Sequence, residues 1–326
     1  MANKIYHTIL ELQPQVDSLY DKGIVRGKDV GFTCLRKLYS IKPGCTTYIM
    51  GSPTSGKTEL WFEFLINLSE FYGWKHVIYT PETGTKDEVV AELCSKYLKK
   101  PFYKNYSGFM SDSERYKALA WLNEYFYIID PGDKDISVTQ FYAEVDRLER
   151  ELSVTIQTTT IDPYNELKHD MKETGGRQDL YIETMLGICR RNAMKHNRHN
   201  CIITHCADQK PVTTDGITYY PAPTAREYAG GQAWYRKGLG MIGVWRPPVG
   251  LRDSSGKPYE NNEAHIIIHK AKPKGIGEKG IAKLFFDWQK NRYYEKGIMG
   301  TTNYAIKEEN TEIFQTTNED ISDMPF

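Results

Sequence analysis

The chain has 326 residues, 40% hydrophobic and 26% charged, the ordinary balance of a globular protein able to bury a sizeable core. No run of about 18 apolar residues occurs, so no membrane span is expected, and the first ten residues lack the apolar core of a secretory signal, which points to the cytoplasm. The zero net charge hides an asymmetry: residues 307–326 hold one basic and six acidic side chains against 41 and 36 in the rest, so a mildly basic body carries an acidic tail.

Residues 1–40 read as a helical arm or linker. Ile5, Ile9, Leu12 and Val16 recur at helical spacing, Pro14 interrupts them, and Gly23, Gly27 and Gly31 punctuate the next stretch. From Lys42 the texture changes. A Pro43-Gly44 turn precedes a buried strand at 45–50, and a helix over 59–72 ends at Gly73. A strand at 76–80, helices at 87–99 and 111–124, a strand at 125–129 and a helix at 138–152 come next. The β-rich run 154–161 ends at Asp162. A helix over 179–196 leads to strands at 201–204, 241–245, 265–269 and 284–288. This alternation predicts an α/β fold: a mostly parallel twisted sheet flanked by helices, with antiparallel strands at one edge. From Asn310 the composition turns polar and acidic, so a disordered tail over 307–326 is expected after a domain at 41–306. The six cysteines form no C-x-x-C pair, which argues against zinc and for buried free thiols.

The strongest chemical signal is Gly51, Ser52, Pro53, Thr54, Ser55, Gly56, Lys57 and Thr58, a match to G-x-x-x-x-G-K-S/T. The glycines let the backbone N–H groups face a phosphate, and the next helix turns its N-terminus to the same anion. Lys57 is expected on the β- and γ-phosphates of ATP and Thr58 on Mg²⁺. Asp162, Glu82 and His205 each end a predicted strand, where such sheets bind ligands. Asp162 is read as the metal-side carboxylate, Glu82 as the base for water, and His205 as a group touching the γ-phosphate. Lys270, Lys272 and Lys274 alternate just past a strand and so share a face.

Taken in order, these segments resemble the helicase domain of the DnaB family, in particular its Twinkle and phage primase-helicase branch. The matching words are Lys42-Pro-Gly44, the loop 51–58, Gly73-Trp74, Thr80-Pro-Glu82, the run 161–166 (IDPYNE) and Thr204-His205. Tyr228-Ala-Gly-Gly231, Ala233-Trp234-Tyr235 and the basic stretch 270–275 complete the series. The resemblance implies a RecA-like P-loop NTPase core working as a homo-hexameric replicative helicase that travels 5′ to 3′ on single-stranded DNA. Glu82 takes the place of the catalytic glutamate, Asp162 the metal-side aspartate, and His205 the γ-phosphate sensor. Lys270 and Lys272 match the pair that reaches the next subunit's site, although the family usually has arginine where Lys272 stands, and lysine lacks the planar fork. Arg246 matches a residue flanking the nucleotide base, with Tyr293 or Tyr294 opposite. Two loops match those that hold DNA. One carries Lys168, Lys172 and Arg177, the other Lys210 and Arg226, and basic loops of this kind track phosphates without reading bases. No primase-like domain is expected ahead of the core. The same core also fits a RecA/RadA-type recombination ATPase or a protein-partnered ATPase or loader.

The end of the chain, Asn318 to Phe326, combines acids with a terminal Pro-Phe and resembles the tips of bacterial single-stranded-DNA-binding proteins. It implies that Phe326 enters an apolar pocket of a replication partner, a polymerase, primase or single-stranded-DNA-binding protein. A viral origin, and thus the host cytoplasm, is implied by the resemblance as well.

Overall fold

Alternating apolar strands and helices assemble into one ten-stranded sheet in the computed structural model, which describes residues 6–207, 209–228 and 231–308. In chain order the elements are α1 (Gln13–Lys22), β1 (Thr46–Gly51), α2 (Lys57–Tyr72), β2 (His76–Tyr79), α3 (Lys86–Leu98), α4 (Asp112–Tyr125) and β3 (Phe126–Ile128). Then come α5 (Val138–Leu152), β4 (Thr158–Ile161), α6 (Gln178–His196), β5 (His199–His205), β6 (Val212–Thr214), β7 (Ile217–Tyr219) and α7 (Ala233–Lys237). The last are β8 (Gly240–Trp245), β9 (Glu263–Ala271), β10 (Gly280–Asp287), β11 (Arg292–Lys296) and β12 (Thr302–Tyr304). The sheet order is β12-β11-β10-β9-β8-β1-β5-β4-β2-β3, with β6 and β7 forming a separate hairpin.

From β8 to β3 all neighbours are parallel; from β8 to β12 all are antiparallel. Parallel strands must be covered on both faces, and the sequence meets this by alternation. In β1, Ile49 joins the core under α2 and α3, whereas Tyr48 and Met50 join the core under α5 and α6. In β2, Ile78 and Val77 divide in the same way. Three helices start at reciprocal capping boxes: Thr85 with Glu88, Ser111 with Glu114, and Ser137 with Gln140. Gly73 ends α2 at φ +64°, a left-handed position that glycine takes without a Cβ clash. Among the described residues no helix is long and apolar enough to cross a membrane.

Some elements differ from expectation. The run 154–161 is a strand only from Thr158, because the Ile156 N–H is taken by the Glu149 carboxylate at 2.7 Å instead of by a neighbouring strand. The segment assigned to an arm divides in two. Val30, Phe32, Leu35, Tyr39 and Ile41 are fully buried in the main core, while α1 leaves Val16, Leu19 and Tyr20 exposed. Glu308 lies 3.7 Å from Arg26 and 3.8 Å from Arg36, and residues 309–326, with Phe326, fall outside the described residues.

The antiparallel half is tied to α2 by a buried ion pair. Arg292 donates to Glu63 Oε1 at 2.7 Å, to Asn67 Oδ1 at 2.6 Å and to the Lys96 carbonyl at 3.0 Å. The second oxygen of Glu63 accepts from the Tyr293 N–H at 3.2 Å. Arg292→Ala strands Glu63 in a dry core, so unfolding free energy is expected to fall by about 3–5 kcal/mol. Urea denaturation followed by tryptophan fluorescence checks this; a loss below about 1 kcal/mol contradicts the placement.

Candidate nucleotide-binding site

The site is built at the carboxyl ends of β1, β2, β4 and β5. β1 runs into Gly51, where an added Cβ would collide with Ser55 Oγ and the Val244 carbonyl. Gly56 sits at φ +87°, with the Tyr293 hydroxyl 2.7 Å from where its Cβ would stand. Both positions therefore require glycine. The loop between them curls so that Lys57 Nζ donates to the carbonyls of Gly51 and Ser52, each at 3.0 Å. Burial pulls the Lys57 ammonium below its usual pKa, against the stabilising charges of Asp162 and Glu82.

Thr58, in the first turn of α2, donates its hydroxyl to Asp162 Oδ2 at 2.6 Å. Asp162 directly follows β4 and is 4% exposed. Burial pushes its carboxyl up to about 6, although the Thr58 hydrogen bond and Lys57 both work to lower it. A hydroxyl and a carboxylate side by side are the hard oxygen donors that Mg²⁺ takes. Ser55 Oγ is buried without a hydrogen-bond partner among the described residues, a polar atom facing the loop's interior. His205, the last residue of β5, places Nε2 3.1 Å from Glu82 Oε2. Four separate chain segments, ending at Gly51, Glu82, Asp162 and His205, thus meet on a cleft of about 630 Å³.

The far end of the cleft comes from the antiparallel half. The Arg246 guanidinium lies 4.9 Å over the Trp288 ring, and Tyr293 donates its hydroxyl to the Gly56 carbonyl at 3.4 Å. Of the two tyrosines considered from sequence, Tyr293 lines the cleft, whereas the Tyr294 hydroxyl accepts from Asn262 at 3.0 Å. Sequence reasoning missed Glu59, Glu92, Phe286, Trp288 and Asn291, all in the wall. Glu59 was within reach, since it directly follows Thr58. The others arrive from α3, from the end of β10 and from the β10–β11 turn, whose place depends on antiparallel register. Burial and the neighbouring Glu59 push the Glu92 carboxyl up to about 7.

Lys270 and Lys272 do not join this cleft. Trp245, at the carboxyl end of β8, pairs with His265, while Lys270 pairs with Met241 near the opposite end. At about 3.3 Å per residue, Lys270 sits on the order of 15 Å away, at the other edge of the sheet. There its ammonium donates to the Tyr235 carbonyl at 2.7 Å. Lys272 lies two residues on, its N–H bonded to the Leu239 carbonyl at 3.1 Å.

Two further loops, each carrying exposed basic side chains among acidic ones, leave the same side of the sheet as the phosphate loop. Lys168, Lys172 and Arg177 are exposed between β4 and α6, with Arg177 paired to Asp179 at 2.6 Å. Lys210 and Arg226 are exposed after β5. The two regions touch: Ser52 Oγ donates to Gln209 Oε1 at 2.9 Å, and Gln209 Nε2 donates to the Pro221 carbonyl and to Glu227 Oε2, both at 3.2 Å.

No family model matches the chain. It is 28% identical over 290 residues to the Twinkle homolog protein, chloroplastic/mitochondrial, of Arabidopsis thaliana, a match that covers 87% of this chain and 39% of the relative's length. Among solved structures, an isolated ATPase domain superposes with a TM-score of 0.69 at 16% identity, covering 88% of this chain and 98% of that one. A DnaB-like replicative helicase studied with its primase superposes at 0.65 and 16% identity, over 89% and 68% of the two chains. The chain therefore has the RecA-like fold of DnaB-like helicase ATPase domains, with antiparallel strands extending one edge of the sheet, and in sequence it is similar to the Twinkle branch of that family.

Proposed function

We propose that this chain is an ATP-dependent, ring-forming replicative DNA helicase that moves along single-stranded DNA by hydrolysing nucleotide between subunits. The observation that carries the reading is the split of the functional groups between two sheet edges. Lys57, Thr58, Asp162, Glu82 and His205 share one cleft, while Lys270 and Lys272 sit at the opposite edge. Lys57 is the cleft's own cation at the phosphates, and Lys270 or Lys272 can add a second only from a neighbouring subunit. Contacts that join one edge to the other are heterologous, and such contacts close into rings when the rotation permits; a homo-hexamer is the assembly proposed.

In this reading the loop N–H groups and Lys57 hold the triphosphate, and Arg246 with Trp288 and Tyr293 flanks the base. Thr58 and Asp162 would hold Mg²⁺, which neutralises phosphate charge when bound. Glu82 accepts a proton from the attacking water, and His205, in contact with Glu82, orients it. Lys168, Lys172, Arg177, Lys210 and Arg226 track the DNA backbone, and the Ser52–Gln209 contact connects their loop to the phosphate site. The acidic tail takes a replication partner through Phe326, and the working compartment is the cytoplasm, that of the host for a viral chain.

Steady-state ATP hydrolysis with and without single-stranded DNA tests the proposal. DNA is expected to stimulate the wild type, and Glu82→Gln to lose about 10²–10⁴-fold in kcat with little change in nucleotide affinity. Hydrolysis indifferent to DNA selects a protein-partnered ATPase; strand exchange without unwinding selects a recombination ATPase.

Subunit mixing addresses the trans cation. Lys57→Ala and Lys272→Ala proteins, each inactive alone, are expected to regain ATPase activity when combined, because an intact loop then meets an intact lysine. Mixtures as inactive as their parts remove Lys272 from the neighbour's site.

A further inference from the structure

Beyond Glu82 and Asp162, two more carboxylates stand in the wall of the cleft. Glu59, one residue past Thr58, and Glu92, on α3, both line it, with side chains 34% and 28% exposed. Lys96, with no exposed side-chain surface, lies between them, paired with Glu59 and 3.6 Å from Glu92. Asn291 fixes the arrangement from the β10–β11 turn: its amide donates to Glu92 Oε1, and its own Oδ1 accepts from Lys96 at 3.4 Å. One lysine offsets one carboxylate, so the wall keeps acceptor character.

A carboxylate with neither a metal nor an attacking water to serve repels a triphosphate, so Glu59 and Glu92 face the neutral part of the nucleotide. The same end of the cleft holds Phe286, Tyr293 and the Arg246–Trp288 stack, flat surfaces of the kind on which a base lies. Building on the nucleotide-site reading above, we infer that Glu92, held by Asn291 and Lys96 and backed by Glu59, reads the edge of the base and selects nucleotides with an exocyclic amine there, adenine and cytosine, over those with a carbonyl, guanine and uracil. An ionised carboxylate only accepts hydrogen bonds and an amine donates them; with Glu92 pushed up to about 7, the selection is expected on the alkaline side of that value, where the assays are run. A carbonyl in the same place sets acceptor against acceptor and leaves both unpaired, the kind of mismatch that polar sites reject strongly.

The test is kcat/KM for ATP, CTP, GTP and UTP on the full chain, with the wild type and with Glu92→Gln and Asn291→Ala. The wild type is expected to prefer ATP over GTP, and CTP over UTP, by about tenfold or more, as one hydrogen bond to a charged group implies. An amide donates as well as accepts, so Glu92→Gln is expected to bring both ratios to within about threefold, chiefly by improving GTP and UTP. Asn291→Ala, which frees the Glu92 side chain, is expected to give intermediate ratios. Equal use of all four nucleotides by the wild type overturns the inference without any variant, and an unchanged ratio in a folded Glu92→Gln protein overturns it as well. If the wild type neither binds nor hydrolyses any of the four, the nucleotide-site reading fails and the base selection falls with it. Binding without preference leaves the nucleotide site standing and removes only the selection.

Discussion

The Glu63–Arg292 ion pair joins two halves of the molecule that the chain keeps far apart. Glu63 lies on the helix just after the phosphate loop; Arg292 begins a strand of the antiparallel extension. Neither charge reaches water, so the pair is tolerated because every nitrogen of Arg292 and both oxygens of Glu63 have a partner, Asn67, the Lys96 carbonyl and the Tyr293 N–H completing the set. The consequence is positional. With Arg292 fixed against α2, Tyr293 is held over Gly56, and the β10–β11 turn brings Asn291 and Trp288 to the cleft. A phosphate loop alone is a general anion site. The wall that can distinguish one nucleotide from another exists because this pair fixes its edge.

The parallel half supplies the other constraint. In a sheet whose central strands all run the same way, every strand end on one side opens onto the same crevice. Gly51, Glu82, Asp162 and His205 come from four segments far apart in the chain, and no local interaction assembles them. The register does: Ile161 pairs with Tyr79 and with Ile202, and Gly51 pairs with His205. The two loops after β4 and β5 leave from that same side, which puts their exposed lysine and arginine side chains beside the phosphate site without any special device.

Most of this half could be read from the sequence. The loop 51–58 carries its own chemistry, the strand before it is apolar, and the acids at strand ends accord with the general behaviour of such sheets. Helices α2 to α6 were each expected within two residues of where they lie. The antiparallel half was harder. The sequence of β11, RYYEK, is polar and charged because Arg292 finds its partner on a distant helix, and nothing local distinguishes such a strand from a loop. The same holds for β6 and β7, whose residues are largely exposed. The buried residues of 27–41 were hidden for a different reason: their apolar side chains match no regular period, since they fill space against α2 from irregular chain. Glu92 escaped because a glutamate on a helix reads as a solvated face until the opposite wall is known.

Ser52 shows how closely the two functions of the sheet edge are connected. Its carbonyl accepts from Lys57, and its hydroxyl donates to Gln209, which in turn holds the Pro221 carbonyl and Glu227 at the base of the second basic loop. A triphosphate competes with the two loop carbonyls for the Lys57 ammonium, because a phosphate oxygen is the stronger partner for a cation. Withdrawal of Lys57 leaves the Ser52 carbonyl without its donor while Gln209 still holds the side chain. Ser52 is therefore shared by two hydrogen-bond networks, that of the phosphate loop and that of the chain that carries Lys210 and Arg226.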